Sequence, residues 1–464
     1  MRNPDILLIN PPFHIRTGSG NFLPLGLGYI ISAVNNEGLS AEVINCAEGC
    51  QSFFSDDLSV FETDIKNELH KYNPSLIGIG PCVTSHVRAL IIIARVCKEV
   101  FPETPIVCGG PLATMNGQEW FFFEELQIPY IIKGDGEKAI PSLIKTIKNG
   151  LPLLTCPEVS YDGHFVYNDI SDINSISFPH RLSSSHTQIS DRRKSTKSGI
   201  LTMPMITSRG CMYTCDYCVS GSLSSRFRKR SNDNILEEMI FLRDGYGATD
   251  IIFYDDCFFY NPKTSNEEIF SFCNLLMKNR LSMTWQIEMR TDLLLSLTDE
   301  SLTLLEKSGC RQINIGIEKT SSESLFCIGK TSTIEGLMEK NKHIAKLFGI
   351  ELTATFILGG FNENEKTVRK LIEDSKKLSL TQAHFNPLFV YPSTKLYNNY
   401  GLKARDWYNL IKNDTLPWGE IVFENTELSR EKLLSFLDLA YTEFYGKTCI
   451  NYTNQYLNRF NLWR

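Results

Sequence analysis

One short stretch of sequence decides the fold and the chemistry of this chain: Ser208-Arg209-Gly210-Cys211-Met212-Tyr213-Thr214-Cys215-Asp216-Tyr217-Cys218. Its three cysteines have the spacing C-x-x-x-C-x-x-C, and Tyr217 stands directly before the last of them. Three thiolates at these offsets can bind three irons of a four-iron–four-sulfur cluster and leave the fourth iron without a protein ligand. Because electron-transfer clusters normally take four cysteines, the triplet indicates chemistry at the open iron rather than storage of an electron.

Two other uses of clustered cysteines fit the sequence less well. A zinc site normally requires four Cys or His ligands, but no second cysteine pair follows at a suitable interval and the chain has 8 histidines. Three cysteines this close together are also poorly suited to a structural disulfide. The sequence therefore predicts a metal cluster bound by Cys211, Cys215 and Cys218.

The composition is that of an ordinary globular protein. The length of 464 residues predicts two or three domains, and 42% hydrophobic with 22% charged residues is enough for a sizeable core. A net charge of -6 gives no sign of a nucleic-acid partner, whose binding proteins are usually basic. One basic run, at residues 226–230, is typical of a solvated surface.

The sequence also gives expectations about localisation. The first residues lead into a strand-like segment without the pattern of a signal peptide, and no run of 18 apolar residues predicts a membrane span. Most of the 14 cysteines are scattered singly, as in a reducing compartment. We therefore expect a cytoplasmic protein without a membrane or nucleic-acid partner.

The first 149 residues alternate short apolar runs with helical segments. Strands are predicted at 6–10, 42–45, 76–80, 105–108 and 130–133, with helices between them, which is the pattern of an α/β domain with a doubly wound parallel sheet. Ligands bind such a sheet outside the carboxyl ends of its strands. These ends carry Pro11-Pro12, Pro81 to Thr84, Gly109 to Pro111 and Gly134 to Glu137.

The rest of the chain is predicted to contain a linker, a partial barrel and a helical appendix. Residues 150–200 are rich in Ser, Asp, His and Lys and are expected to connect two domains. Residues 201–399 contain six further strand–helix units, which predict a partial (β/α)6 barrel with its site at the carboxyl ends of the strands. Residues 400–464 are expected to form a small helical C-terminal region.

Together, these motifs resemble the radical S-adenosylmethionine (radical SAM) enzymes, in the branch that has an N-terminal, Rossmann-like cobalamin-binding domain. The resemblance covers about residues 1–400, and the cysteine triplet, preceded by Arg209-Gly210, is its most specific part. Enzymes of this family bind S-adenosylmethionine through the open iron and cleave it reductively to a 5′-deoxyadenosyl radical. The resemblance implies a four-iron–four-sulfur cluster, S-adenosylmethionine and an external electron donor of the flavodoxin or ferredoxin type.

Motifs at the barrel strand ends match those that hold S-adenosylmethionine in the family. Asp255-Asp256 stands where many relatives have Gly-Gly-Glu for the amino group, and Arg290 resembles the arginine that pairs with the carboxylate, a task that suits a guanidinium. Alternatively, Arg290 forms a surface ion pair with Asp292. The cofactor contacts that the resemblance implies are Tyr217, Asp255, Arg290, Glu318, Gly359 and Gly360.

The N-terminal motifs imply a cobalamin site. Its expected contacts are Leu25, Gly26, Thr84, Gly109, Gly110, Gly134 and Glu137. The D-x-H-x-x-G signature, whose histidine binds cobalt in other cobalamin domains, is missing, because His14 and His86 lack the accompanying Asp and Gly. Cobalamin would therefore bind without a histidine on cobalt; loss of cobalamin binding is the alternative.

The resemblance implies methylation of an unactivated carbon of a small-molecule or peptide natural product, with cobalamin as methyl carrier. A rearrangement, ring closure or oxidation with the same cofactors is a second hypothesis. A third, of another class, is a non-catalytic iron–sulfur redox sensor, although Asp255, Arg290 and Glu318 at strand ends favour an enzyme. Formation of 5′-deoxyadenosine distinguishes an enzyme from a sensor.

Overall fold

The computed structural model describes residues 1–12, 25–46, 58–181, 200–321, 334–360, 362–413 and 422–446. Its strands are β1 (Ile6–Asn10), β2 (Ala41–Asn45), β3 (Ile77–Ile79), β4 (Ile106–Gly109), β5 (Tyr130–Gly134), β6 (Tyr167–Asn168), β7 (Thr202–Met205), β8 (Ser208–Arg209), β9 (Arg228–Lys229), β10 (Asp250–Phe253), β11 (Thr284–Arg290), β12 (Cys310–Glu318), β13 (Glu351–Leu358) and β14 (Gln382–Pro387). Its α-helices are α1 (Leu25–Asn36), α2 (Leu58–Leu69), α3 (Val87–Val100), α4 (Pro111–Thr114), α5 (Gly136–Lys148), α6 (Asn232–Tyr246), α7 (Ser265–Lys278), α8 (Thr291–Ser296), α9 (Asp299–Lys307), α10 (Ile334–Leu347), α11 (Glu365–Lys376), α12 (Lys395–Tyr400), α13 (Ala404–Asn413) and α14 (Arg430–Tyr445).

The first sheet is parallel throughout, in the order β2-β1-β3-β4-β5-β6. Both faces of this sheet are covered: all five residues of strand β1 are buried, as is typical of strands in parallel sheets. Leu7 and Ile9 pack into the core that contains residues of α2 and α3, whereas Ile6 and Leu8 pack against residues of α1 and α5. The predicted doubly wound α/β fold is confirmed, and the strand order reverses between β1 and β3, where such sheets bind ligands.

The second sheet is also parallel and has the order β14-β13-β12-β11-β10-β7. Helices connect its strands, and it forms the predicted partial barrel, open between β14 and β7. Ile287 and Met289 lie in the core beneath the helices. Glu288 and Arg290 alternate with them and therefore face the interior of the barrel.

The segment predicted to be a linker is partly built into the first sheet. Its strand β6 pairs in parallel with β5, and Ser160 and Ile131 exchange backbone hydrogen bonds. The sequence analysis missed β6 because a strand of two residues, Tyr167 and Asn168, is too short to show alternation. Residues 182–199 lie outside the described part.

The C-terminal residues cover the open edge of the barrel. On helix α14, the hydroxyl of Tyr441 accepts from the N–H of Phe385 at 3.1 Å and donates to its carbonyl at 3.2 Å. The hydroxyl of Tyr445 does the same for Ala383, at 3.0 Å each way. These contacts satisfy backbone groups that an edge strand would otherwise leave unpaired.

One hydrophobic core joins the two sheets. Trp407 and Tyr408 of α13 are buried together with Phe121 and Phe122 of the N-terminal part and with Val390 after β14. This shared core fixes the carboxyl edge of the first sheet against the barrel. Among the described residues, no helix is long and apolar enough to span a bilayer.

Candidate functional site

The three cysteines lie in the connection between β8 and β9, two short strands that form an antiparallel hairpin beside the barrel. All three have free thiols and are half-buried, and the N–H of Cys218 donates to the carbonyl of Cys215 at 3.1 Å. In the described part of the chain, no three His, Cys, Asp or Glu side chains converge tightly enough to hold a single metal ion.

Arg290 connects the end of β11 to this cysteine loop. Its guanidinium carbon lies 3.7 Å from the ring centre of Tyr213, and its Nη1 donates to the Cys215 sulfur at 3.7 Å. Its Nε also donates to Asp292 at 3.0 Å. The ion pair considered as an alternative role is therefore present, and it holds the guanidinium beside the thiols.

Glu318, at the end of β12, meets Tyr217 of the cysteine loop. Glu318 has a φ of +66°, unusual for a residue other than glycine, and the N–H of Lys319 donates to the Ile317 carbonyl at 2.8 Å. This tight turn presents the Glu318 carboxylate to the Tyr217 hydroxyl. Burial and the adjacent carboxylate raise the pKa of Tyr217, which keeps the phenol protonated and donating.

The same turn directs Lys319 toward Gly359 and Gly360, the two glycines predicted to contact S-adenosylmethionine. The Lys319 ammonium donates to the carbonyls of Ile357 and Gly359 at 2.8 and 2.7 Å and pairs with Glu363 at 2.7 Å. Gly359 has a φ of +91°, a conformation that favours glycine. The Gly359-Gly360 turn is therefore fixed by a buried cation, a contact that no local sequence pattern reveals.

The two adjacent aspartates after β10 differ in their surroundings. Asp255 is fully buried, and its carboxylate accepts from the N–H of Thr207 at 3.0 Å and from the hydroxyls of Thr207 and Ser208. Asp256 is exposed and accepts from Ser220 at 2.9 Å. Burial, together with the nearby Asp256 carboxylate, raises the pKa of the Cys211 and Cys218 thiols. The Asp255 oxygens thus anchor the segment that leads into the cysteine loop, and the contact of Asp255 with the cofactor stays a prediction.

Glu288 is an interior group that the sequence did not single out. It lies on the same face of β11 as Arg290 and accepts from Asn314 at 3.3 Å. Its side chain is accessible to water but surrounded by protein, and burial raises its carboxyl pKa to about 7. The alternation of β11 was the available signal, because it places Glu288 two residues below Arg290 on the interior face.

Several residues predicted to contact cobalamin lie at the carboxyl edge of the first sheet. Gly109 ends β4, Thr84 follows β3 as a buried residue, and Leu25 and Gly26 begin α1. A Cβ on Gly26 would meet no heavy atom of the described residues within 4 Å, apart from its own helix and chain neighbours. This position leaves room for an approaching ligand.

Two of the predicted glycines are required by the protein's own backbone. A Cβ on Gly110 would lie 2.6 Å from the backbone nitrogen of Cys82, and one on Gly134 would lie 2.1 Å from the carbonyl oxygen of Asn168. Both glycines have positive φ values, of +111° and +80°. Close packing inside the domain thus accounts for these two positions without a ligand.

The remaining predicted contact, Glu137, is paired within the protein. Its carboxylate binds the guanidinium of Arg209, two residues before Cys211. His86 is likewise engaged: it is completely buried with its Nδ1 2.9 Å from the Pro81 carbonyl, and burial lowers its pKa to about 4. His86 is therefore a neutral core residue, and His14 lies outside the described residues.

Comparison with known proteins agrees with this arrangement. Residues 205–375 match the model of the Radical SAM superfamily. They form a radical SAM domain. The uncharacterized methyltransferase PH0819 of Pyrococcus horikoshii is 27% identical over 96% of this chain and 93% of its own length. The anaerobic magnesium-protoporphyrin IX monomethyl ester cyclase of Rubrivivax gelatinosus is 23% identical over 90% of this chain and 75% of its own.

The fold of most of the chain is also found in a solved radical SAM protein. The radical S-adenosylmethionine methyltransferase TsrM of Kitasatospora setae superposes with a TM-score of 0.65 at 19% identity, covering 85% of this chain and 75% of TsrM. This match extends well beyond the radical SAM domain into the N-terminal sheet. The predicted fold, a doubly wound domain joined to a partial barrel, is therefore confirmed.

The side chains of the radical SAM domain fit the groups that such a domain binds, a four-iron–four-sulfur cluster and S-adenosylmethionine. Three half-buried thiols on one loop supply three iron ligands. Around them stand one guanidinium and two carboxylates, those of Arg290, Asp256 and Glu318, which complement a carboxylate and an amino group. The donor set therefore suits an amino acid bound at the open iron.

Proposed function

We propose that this radical SAM enzyme uses cobalamin to methylate an unactivated carbon of a small-molecule or peptide substrate. The observation that carries the proposal is the placement of the cysteine loop. It lies between the carboxyl ends of the barrel strands and the ligand-binding edge of a doubly wound sheet, and Arg209 ties it to that edge through Asp135 and Glu137. Two cofactor-binding edges thus adjoin one loop.

The barrel side chains bind and orient S-adenosylmethionine. Arg290, whose guanidinium carbon lies 3.7 Å from the ring centre of Tyr213, would pair with the carboxylate of the methionine part. Asp256, which now accepts from Ser220, would accept from the amino group. Asp255 binds Thr207 and Ser208 through its carboxylate and so fixes the segment before the cysteine loop. Glu318, oriented by Tyr217, would contact the ribose or the amino group, and the backbone of Gly359 and Gly360 would bind the adenine.

The N-terminal sheet holds the second cofactor at the switch between β1 and β3. Leu25, Gly26, Thr84 and Gly109 border this edge, and because His86 is buried and neutral, it is not the cobalt ligand. The cluster with S-adenosylmethionine supplies reductive cleavage of a C–S bond, and cobalamin supplies a transferable methyl group. The protein positions these groups against one C–H bond and excludes water.

Relatives support this reading. PH0819, which aligns with nearly the whole chain, is described as a methyltransferase. TsrM has been solved with cobalamin and a [4Fe-4S] cluster, and with a tryptophan substrate and a SAM analogue. We include an external one-electron donor of the flavodoxin or ferredoxin type in the proposal.

A second candidate is an oxidative ring closure with the same cofactors and no methyl transfer. The similarity to the magnesium-protoporphyrin IX monomethyl ester cyclase over 90% of the chain favours it. Both candidates require S-adenosylmethionine cleavage, so the fate of the methyl group distinguishes them.

The test uses anaerobically reconstituted, full-length protein with cobalamin, a reductant and S-adenosylmethionine labelled in its methyl group. Metabolites extracted from the source cells serve as substrate mixture. We expect 5′-deoxyadenosine together with label in a new product. A new product that forms with 5′-deoxyadenosine but without label would contradict methyl transfer and favour ring closure.

A further inference from the structure

The hairpin that carries the cysteine loop is bound to the first sheet by two arginines. Arg209 of β8 donates to Asp135 at 2.7 Å and to both oxygens of Glu137, and Arg228 of β9 also pairs with Asp135. All four side chains are mostly buried, with exposed fractions between 6% and 19%. We call Asp135, Glu137, Arg209 and Arg228 the interdomain seam.

Further contacts fix the orientation of each member of the seam. The guanidinium of Arg209 lies 5.3 Å from the ring centre of Tyr29 on α1. The carboxylate of Asp135 also accepts from the N–H of Ile170 at 2.8 Å, and Arg228 donates to the carbonyl of the same residue at 2.7 Å. A planar guanidinium held by two carboxylates and an aromatic ring has little freedom to turn.

The seam lies next to the first cluster ligand in the sequence, and the backbone between them is closely packed. Only Gly210 lies between Arg209 and Cys211. Gly210 has a φ of +79°, and a Cβ there would lie 2.9 Å from the carbonyl oxygen of Arg226. The backbone is thus closely packed at the entry to the loop, so a shift of Arg209 moves Cys211.

The charges of the seam balance within the protein. Its two carboxylates face two guanidinium groups, and although burial opposes ionisation, Arg209 and Arg228 hold the pKa of Asp135 below its ordinary value. The basic run at residues 226–230 is also paired with carboxylates: Arg226 and Arg228 with Asp169, Lys229 with Glu268, and Arg230 with buried Glu238, which Arg181 shares. The seam therefore has no free charge left for a ligand.

We propose that Asp135 and Glu137 are positioning residues that hold the cysteine loop through Arg209, rather than contacts of the cofactor in the N-terminal sheet. This inference rests on the proposed function of the loop as a cluster site. It replaces the role that Glu137 was assigned by resemblance. The N-terminal domain then serves the radical chemistry directly, by setting the place of the cluster.

The test compares four full-length variants after anaerobic reconstitution: three in the seam and one surface control. Asp135→Asn and Glu137→Gln remove seam charges. Glu37→Gln is the matched control, because Glu37 pairs at the surface with Lys145 of α5, the helix whose first turn contains Glu137. For each we would measure iron content, cobalamin affinity by absorbance, the electron paramagnetic resonance (EPR) spectrum of the reduced cluster with and without S-adenosylmethionine, and the kinetics of 5′-deoxyadenosine formation.

We expect both carboxylate variants to bind cobalamin as the control does. Their kcat/KM for S-adenosylmethionine cleavage should fall by up to ~10²-fold, the effect of misplacing a reacting group by about 1 Å, and the change that S-adenosylmethionine causes in the EPR spectrum should differ from that of the control. Arg209→Lys keeps the positive charge but loses the planar guanidinium that binds two carboxylates. We expect this variant to fold and to have a lower kcat/KM for S-adenosylmethionine cleavage than the control.

Two results would overturn the inference. One is weakened cobalamin binding with cleavage kinetics like those of Glu37→Gln, which would make Asp135 and Glu137 cofactor contacts. The other is no difference from the control in any measurement. Failure of the proposed function looks different, since the wild-type protein itself would then form no 5′-deoxyadenosine.

Discussion

Replacement of Lys319 by methionine is expected to cost more stability than any surface charge change in this protein. The ammonium of Lys319 and the carboxylate of Glu363 are 2% and 4% exposed and lie 2.7 Å apart, and Lys319 also binds the carbonyls of Ile357 and Gly359. In Lys319→Met, the Glu363 carboxylate stays buried without its cation. Removing one partner of a buried ion pair costs ~3–5 kcal/mol, so we predict a loss of this size.

The assay is urea unfolding followed by tryptophan fluorescence, because Trp285 is completely buried in the barrel core. Lys376→Met is the matched control, since Lys376 pairs with Glu443 at the surface, where both side chains are 39% exposed; it should cost less than about 1 kcal/mol. Lys319→Met combined with Glu363→Leu removes both charges and should recover part of the loss. The reasoning is refuted if Lys319→Met costs no more than Lys376→Met, or if the losses of Lys319→Met and Glu363→Leu simply add in the double variant.

Three further predictions concern the barrel. Tyr213→Leu removes the cation–π contact with Arg290, which contributes ~0.5–2 kcal/mol. The KM for S-adenosylmethionine should rise by the factor that corresponds to this loss of binding free energy, with little change in kcat. Tyr213→Phe keeps the ring and should stay near wild type in steady-state assays. Tyr441→Phe should lower the free energy of unfolding by ~1–3 kcal/mol, because both backbone groups of Phe385 lose their partner; an unchanged urea midpoint would contradict this. The Glu288 carboxyl has a pKa raised from 4.5 to about 7 by burial. Between these values the folded protein binds more protons than the unfolded chain, so stability should fall as the pH rises, and Glu288→Gln should flatten that slope in urea titrations of the cofactor-free protein.

Features that depend on local spacing could be predicted from the sequence. The helix at residues 87–100 and most strands of the two sheets follow from apolar runs and alternation, and the structure has them within a few residues of the predicted positions; β6 is the exception, and the strand predicted at 205–208 lies at Thr202–Met205. The cysteine triplet and Arg290 stand out in the sequence for the same reason, since a short motif and a strand end are both visible in one stretch of chain. The fold class and the radical SAM domain were thereby predicted correctly.

Contacts between distant segments could not be predicted in this way. Glu137 and Arg209 are 72 residues apart, and Lys319 and Glu363 are 44 apart, so no periodicity links the partners. Asp255 and Asp256 are a different case: they are adjacent, and only the position of Thr207 and Ser208 decides which of the two is buried. Resemblance pointed to this strand end but could not tell which of the two neighbouring carboxylates is buried and which is exposed.

The most direct test of the central claim is formation of 5′-deoxyadenosine from S-adenosylmethionine by the reduced, reconstituted full-length protein. We predict that the wild type forms it and that replacing Cys211, Cys215 or Cys218 with alanine abolishes it while cobalamin binding is retained. Continued cleavage in any of the three alanine variants would place the chemistry elsewhere and contradict the account.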